Sequence, residues 1–119
     1  MEYYIISGEF KGMSPDDIRT WLEHGRSRQE IVDAFVAVST HALVVEDDIY
    51  DYKEGSKEYQ WASWVISKWF DLYHKLKAQV IIFAKDEGYD IPEKGYHYPF
   101  IPFMESYGYE EHDGWWIKK

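Results

Sequence analysis

Two long segments of the chain repeat apolar residues with the period of an α-helix. In the first segment the apolar positions, separated alternately by four and three residues, are Ile31, Phe35, Val38, Ala42, Val45, Ile49 and Tyr52. In the second segment the same kind of spacing joins Ala62, Ile66, Trp69, Tyr73, Leu76, Val80 and Phe83. This pattern is typical of helices that pack against each other at a shallow angle. The short connection "KEGS" (53–56) requires the two helices to be antiparallel, so we predict a helical hairpin.

Capping residues delimit both helices. Ser27 and Glu30 have the spacing of a capping box, in which each side chain bonds the backbone amide of the other residue. The helix that they open is predicted to run to about Tyr52, with the glycine of the connection closing it. Ser56 is predicted to cap the next helix, which should run to about Glu87, where another glycine follows.

A shorter helix is predicted over residues 14–25, before the hairpin. Ser14 is its candidate N-cap, Pro15 lies at the first helical position, and Gly25 is the residue that ends it. Acidic residues occupy its first turn, where the helix dipole favours them. Three consecutive helices are therefore expected between residues 14 and 87.

The first long helix has a second apolar stripe outside the hairpin interface. Its members are Val32, Val36, Leu43 and Tyr50. We expect the short helix to cover this stripe with its own apolar side chains, Ile18, Trp21 and Leu22. Alternatively, the spare apolar surfaces of two chains would pair two hairpins into a homodimeric four-helix bundle.

The two ends of the chain are predicted to supply a small β element. Residues 3–10, "YYIISGEF", are rich in β-branched and aromatic side chains and are predicted to form a short strand. Near the C-terminus, "YGY" and "WWI" flank Asp113 and Gly114, a pair that favours a tight hairpin turn. A short helix is predicted near Phe103–Tyr107. The predicted fold is therefore a single mainly helical (α+β) domain over residues 1–119, in which the N-terminal strand and the C-terminal hairpin pair.

The composition narrows the range of functions. The 119 residues include no cysteine, which excludes disulfides, thiolate nucleophiles and cysteine-ligated zinc. The formal net charge of −9 disfavours binding to nucleic acid or anionic lipid, because both attract Lys and Arg. No apolar segment approaches the roughly 18 residues of a membrane span, and the start lacks a basic signal-peptide region. We therefore expect a cytosolic protein that binds neither nucleic acid nor membrane directly.

Acidic residues crowd the predicted C-terminal end of the first long helix, where the helix dipole favours Lys, Arg or His. The crowded acids are Glu46, Asp47, Asp48 and Asp51, and Glu54 follows them in the connection. One hypothesis is a solvated face, partly neutralised by Lys53 and Lys57. A second is a docking surface for a basic protein partner, such as one that normally binds nucleic acid. A third is a Mg²⁺ site, as in helical nucleotide pyrophosphohydrolases, which would need carboxylates from both helices, although the second helix offers only Glu58 near this end.

Aromatic residues make up 19% of the chain, and three tryptophans are candidates for contact with a partner. Trp64 falls on the face of the second long helix opposite the hairpin interface, so the C-terminal segment either covers it or leaves it exposed. Trp115 and Trp116 are adjacent in a predicted strand and point to opposite sides, so at most one of them enters the core. Trp is enriched at interface hot spots because it buries much area at little entropic cost.

Catalytic motifs are absent from the sequence. None of the five histidines stands in a metal-ligand pair, and there is no Ser-His-Asp set or Gly-rich phosphate loop. One histidine, His41, is placed so that it could form a buried hydrogen bond with Asp48. Residues 18–35 resemble the first two helices of a helix-turn-helix, but an acidic segment without a turn signal follows, which argues against DNA binding.

The sequence therefore favours a non-catalytic interaction protein without a cofactor. Its acids would attract a basic protein partner and its tryptophans would lengthen the residence time. Small acidic proteins that inhibit nucleic-acid enzymes for phages and mobile elements, and bacterial immunity proteins, offer an analogy. The alternatives are a metal-dependent nucleotide hydrolase and a structural homodimer. In the interaction hypothesis the partner-binding residues are Asp47, Asp48, Asp51, Glu54, Trp64, Trp115 and Trp116.

Overall fold

Four α-helices and one β-hairpin make up the part of the chain that the computed structural model describes, residues 2–119. In chain order these elements are α1 (Pro15–Leu22), α2 (Arg28–Asp48), α3 (Lys57–Asp86), α4 (His97–Ser106), β1 (Tyr109–His112) and β2 (Trp115–Lys118). A single 3₁₀ turn, Ile49–Asp51, extends α2 toward the connection. The predicted fold class, mainly α with a small β element, is confirmed.

The pair of α2 and α3 is the centre of the fold, as the apolar periodicity predicted. The buried members of the two predicted stripes are Phe35, Val38, Ala42, Val45, Ala62, Trp69, Leu76, Val80 and Phe83. The buried face of α3 is wider than one stripe, because Val65 and Leu72 are also fully buried. Although α3 is 30 residues long, no helix in residues 2–119 combines the length and apolar character needed to cross a membrane.

Side-chain caps fix where the helices begin. Ser27 Oγ accepts a hydrogen bond from the Glu30 amide (3.1 Å), and the Glu30 carboxylate accepts one from the Ser27 amide (3.0 Å). The bond from the Ser27 backbone is the main reason that the pKa of Glu30 is lowered. Ser14 and Asp17 form the same reciprocal pair on α1, and Ser56 caps α3. The predicted starts of all three helices are confirmed.

Residues 3–10 do not form the predicted strand. The Ile5 amide donates to Met13 O (3.0 Å) and the Gly12 amide donates to Ile5 O (2.8 Å), so this segment bonds the turn that follows it instead of the C-terminal hairpin. Gly8 has a φ of 81°, which turns the chain away from extended structure. The segment is a loop, and burial of Ile5 attaches it to the core.

The second apolar stripe of α2 is only half covered. Val32 and Val36 are buried, whereas Leu43 and Tyr50 are 42% and 84% exposed. The expectation that the first helix covers this stripe is wrong, because the N-terminal loop lies beside Val36 and α1 packs mainly against α3. The far half of the stripe, toward the connection, remains open to solvent.

The C-terminal segment begins with α4, which is longer than the helix predicted near Phe103–Tyr107 even though it contains two prolines. Pro99 lies in the first turn, where its missing amide costs no helical hydrogen bond. Pro102 does remove such a bond, and burial of three large apolar side chains offsets the loss. These side chains are Phe100, Phe103 and Met104.

The β-hairpin has the predicted turn. His112 pairs with Trp115, and the two residues between them, Asp113 and Gly114, have φ values of 52° and 87°. Positive φ at both central residues is the signature of a type I′ turn, whose twist matches that of a two-stranded hairpin. The Tyr109 hydroxyl donates to a carboxylate of α2 across 2.5 Å and so fastens the hairpin to the helical pair.

Candidate functional site

The acidic cluster lies at the end of the hairpin where α2 connects to α3, which we call the connecting end and define as residues 46–58. Asp47 and Asp48 occupy the last turn of α2, Asp51 lies in the 3₁₀ turn and Glu54 in the connection. Asp48 is half-buried and the other three are exposed. Because the last turn of α2 has no basic residue, the negative end of the helix dipole adds to the field of the carboxylates. Six carboxylates and two lysines give the connecting end a formal charge of −4.

None of the carboxylates of the connecting end forms an ion pair within residues 2–119. The two arginines that do form ion pairs, Arg26 and Arg28, bond carboxylates near the opposite end of the hairpin. Lys53 and Lys57 form no ion pair in the same part of the chain. The expected partial neutralisation of the cluster by these lysines is therefore not achieved by direct contact.

Trp64 is half-exposed and is covered by the N-terminal loop, not by the C-terminal segment. The ring of Tyr3 stacks on it with 5.4 Å between centroids and 15° between planes. Tyr4 meets Tyr3 edge-on at 5.2 Å and is itself 50% exposed. The Lys68 ammonium lies 5.6 Å from the centroid of the Trp64 ring. Together these side chains place a half-exposed aromatic surface on the first turns of α3.

Two partly buried hydrogen bonds hold the N-terminal loop in place. Trp69 Nε1 donates to Tyr3 O across 3.0 Å, and His41 Nε2 lies 2.9 Å from Glu2 O. The expected hydrogen bond from His41 to Asp48 is not formed, because the imidazole bonds this backbone carbonyl instead. Burial lowers the pKa of His41, and the carbonyl and the negative charges of Glu2 and Asp48 oppose the shift only in part.

The two C-terminal tryptophans point in different directions, as the strand alternation predicted. Trp116 is half-buried. The centroid of its ring lies 5.2 Å from the ring centroid of His97 and 6.0 Å from that of Phe100. Trp115 is 40% exposed and lines a cavity together with Leu43. Since Leu43 precedes Asp47 by one helical turn, Trp115 lies on the surface that continues into the acidic cluster.

A groove of about 470 Å³ runs between the N-terminal loop and α2, and it was not predicted from the sequence. Ile6, which is 54% exposed, lines one side of the groove, and Val44 lines the other. Val44 lies one turn before Asp47 and Asp48, so the groove opens beside the acidic cluster. The groove was missed because it depends on where the loop docks, which no local pattern encodes.

The arrangement can attract and contact another molecule. No group of three or more His, Asp or Glu side chains in residues 2–119 is placed to hold a metal ion. Every buried side-chain nitrogen or oxygen in that range has a hydrogen-bond partner.

Comparisons with family profiles, with curated proteins and with solved structures gave no match for this chain. The functional proposal therefore depends on the charge and geometry of the connecting end.

Proposed function

We propose that this protein is a non-catalytic, cytosolic interaction protein that docks its connecting end on a basic protein partner. The observation on which the proposal depends is the set of carboxylates Asp47, Asp48, Asp51 and Glu54, which are unpaired within residues 2–119 and lie at the negative end of a helix dipole. A partner with Lys and Arg on its binding face would supply the missing counter-charges.

The position of these acids favours a role in association over a role in stability. Like charges spaced four residues apart on a helix, such as Asp47 and Asp51, destabilise it slightly, and the helix dipole adds to that cost. Retaining them is consistent with a benefit outside the folded chain. Complementary charge raises the association rate and suppresses wrong partners.

Apolar groups beside the acids would give the complex its lifetime. Trp64 and Tyr4 on one side and Trp115 on the other are each 40–50% exposed, so each has area left to bury. The half-buried Trp116 would hold the β-hairpin that presents Trp115. The partner that fits this surface has exposed apolar side chains flanked by Lys and Arg, as the nucleic-acid-binding face of an enzyme or a toxin often does. A protein that blocks such a face would act as an inhibitor or an immunity protein.

The test is affinity capture from a lysate of the source organism or its host, with matched variants as bait. One variant changes Asp47, Asp48 and Asp51 to Asn. The control variant removes the same three charges elsewhere, at exposed residues outside the connecting end, namely Asp71, Asp90 and Glu93. We expect the wild type and the control to capture the same basic protein, and the Asp47/Asp48/Asp51 variant to lose it.

The captured partner is then purified and its association rate is measured at rising salt concentration. For wild type the rate should fall steeply with ionic strength, since exposed charges are screened beyond about 8–10 Å near 0.1–0.15 M salt. Equal capture by both variants, or an association rate that does not depend on salt, would contradict the proposal.

A further inference from the structure

A second and smaller cavity lies where α2, α3, α4 and the turn of the β-hairpin meet. Its volume is about 160 Å³. Seven of the thirteen residues that line it are Phe, Tyr or Trp: Phe35, Phe70, Tyr73, Tyr96, Phe100, Trp115 and Trp116. Docking of a partner through the acidic cluster would involve Trp115 at the edge of this cavity but not its interior, so the interior needs an explanation of its own.

The lining of the cavity is uncharged apart from the titratable imidazole of His97. No Asp, Glu, Lys or Arg is among the residues that line it in the described part of the chain. The hydroxyls of Tyr73 and Tyr96 hydrogen-bond each other, and the Ser39 hydroxyl donates to a backbone carbonyl across 3.0 Å. These three hydroxyls therefore already have partners, and most of the surface that lines the cavity is apolar.

The cavity has a closed floor and an open mouth. Phe35, Ala42 and Phe100 are 1–3% exposed and form the floor. Leu43 and Trp115, which are 42% and 40% exposed, lie at the mouth beside the turn of the β-hairpin. A ligand can therefore enter from solvent between α2 and β2 without unfolding either element.

We propose that this cavity binds one neutral aromatic ring. An apolar protein cavity of about 150 Å³ is known to stay dry and to bind benzene, so the volume here suits a single six-membered ring. An anionic ligand is disfavoured, because the lining offers no fixed positive charge to offset its desolvation. Aromatic rings can also attract a quaternary ammonium ion, so tetramethylammonium is the competitor that tests for a cationic ligand. The ring belongs either to a free small molecule or to an aromatic side chain of another protein.

Fluorine NMR with fluorobenzene tests the proposal directly. We expect the fluorobenzene resonance to broaden in a saturable way on addition of the folded protein, and benzene to displace it. The anion 4-fluorobenzoate and the cation tetramethylammonium should not compete. Failure of fluorobenzene to bind, or stronger binding of either ion, would overturn the proposal.

Matched variants locate the binding. Leu43→Trp should narrow the mouth and weaken fluorobenzene binding by about tenfold, which is about 1.4 kcal/mol. Ile82→Trp makes the same type of change at an exposed residue of α3 outside the cavity and should leave binding unchanged. Trp115→Ala, a second variant that removes one side of the mouth, should also weaken binding. Equal binding by wild type, Leu43→Trp and Trp115→Ala would place the ligand elsewhere and overturn the proposal.

Two further measurements are needed. One distinguishes a free small molecule from a protein side chain as the source of the ring, and the other distinguishes the ring-site proposal from the docking proposal. N-acetyl-phenylalanine amide carries the ring on a main chain, so its binding would indicate that a protein side chain can enter. Its failure, with fluorobenzene binding, would support a free small molecule as the ligand. Neutralising Asp47, Asp48 and Asp51 should not change fluorobenzene binding, so the ring site can succeed or fail independently of the acidic docking surface.

Discussion

Both ends of the α2–α3 hairpin carry charges whose sign is unfavourable for the local helix dipole, but only at one end do these charges pair with each other in residues 2–119. At the end opposite the connection, Arg28 lies at the start of α2, and Asp86 and Glu87 lie at the end of α3, so each charge opposes the local helix dipole. There the charges bond each other, with Arg28 donating to Asp86 across 2.9 Å and to Glu87 across 2.8 Å. At the connecting end Asp47 and Asp48 oppose the dipole in the same way, but Lys57 at the start of α3 forms no ion pair with them within residues 2–119.

The end opposite the connection, which we call the paired end, also bonds other parts of the chain. The Tyr107 hydroxyl donates to Glu87 across 2.7 Å, and burial together with this bond raises the pKa of Tyr107 to about 12. The Arg28 guanidinium lies 4.6 Å from the centroid of the Phe83 ring. This chain can therefore place charges of the wrong sign at helix ends and pair them across the hairpin. The unpaired acids at the connecting end need a separate reason.

The largest expected effect is at Trp69, which lies on α3 between the two ends. Trp69→Ala removes a fully buried ring and its bond to Tyr3, and should lower the free energy of unfolding by about 3–5 kcal/mol. Trp64→Ala makes the same change at a half-exposed residue and should cost much less. Urea denaturation of both variants measures the difference. Equal losses of unfolding free energy would mean that Trp69 contributes no more to stability than the half-exposed Trp64 does.

Acid should weaken the attachment of the N-terminal loop through His41. Because burial lowers the folded-state pKa of His41 below its ordinary value of 6.5, the unfolded chain binds more protons in that window. Stability is therefore lost as pH falls from about 6.5 toward the folded-state pKa, by at most about 1.4 kcal/mol per pH unit.

Urea midpoints of wild type and His41→Gln between pH 7.5 and pH 5 measure this effect. His41→Gln should reduce the acid sensitivity, whereas His74→Gln, at an exposed residue of α3, should keep it. An acid sensitivity that survives His41→Gln in full would show that another group is responsible.

A smaller effect is expected at the paired end. Arg28→Ala removes both ion pairs and the contact with Phe83, and should lower the urea midpoint by much less than Trp69→Ala does, because exposed ion pairs contribute little. Arg28→Met keeps most of the packing on Phe83 and separates the two contributions. A higher urea midpoint for Arg28→Ala than for wild type would mean that the ion pairs of Arg28 do not stabilise the fold. The two ends of the hairpin would then not differ in this respect.

The smallest effect is expected at the connecting end, and its sign is opposite. Asp47→Asn relieves a like-charge contact and the conflict with the helix dipole, and should raise the free energy of unfolding by about 0.3–0.5 kcal/mol. Asp71→Asn, in the middle of α3, is the control without a helix end nearby. A loss of stability in Asp47→Asn would show that this acid has a structural partner, which would argue against the proposed docking surface.

The parts of the fold that local sequence encodes were predictable. Ser27 with Glu30, and Ser56, mark helix starts whatever the rest of the chain does, and the spacing of the apolar residues fixes the buried face. The β-hairpin was predictable for the same reason, since Asp113-Gly114 matches the backbone of its turn. The acids of the candidate site could be found from charge alone.

The parts that depend on tertiary docking were not predictable. Residues 3–10 have the composition of a strand, but Ile5 finds its hydrogen-bond partners in its own turn, and β propensity is decided by such context. In α4, burial of Phe100 and Phe103 outweighs the helical hydrogen bond that Pro102 removes. The contribution of Tyr3 and Tyr4 to the candidate site follows from the same docking, so no local pattern revealed it.

The short connection at residues 52–56 has a kinetic consequence. Contacts near it, such as those around Val45 and Ala62, join residues close in sequence, so closing them costs little chain entropy. Contacts near Phe83 and Arg28 close a much longer loop and therefore cost more chain entropy. Because contacts between residues close in sequence favour fast folding, the contacts near the connection should form first. We therefore expect the hairpin to close from its connecting end, which makes the end that carries the unpaired acids the first to form.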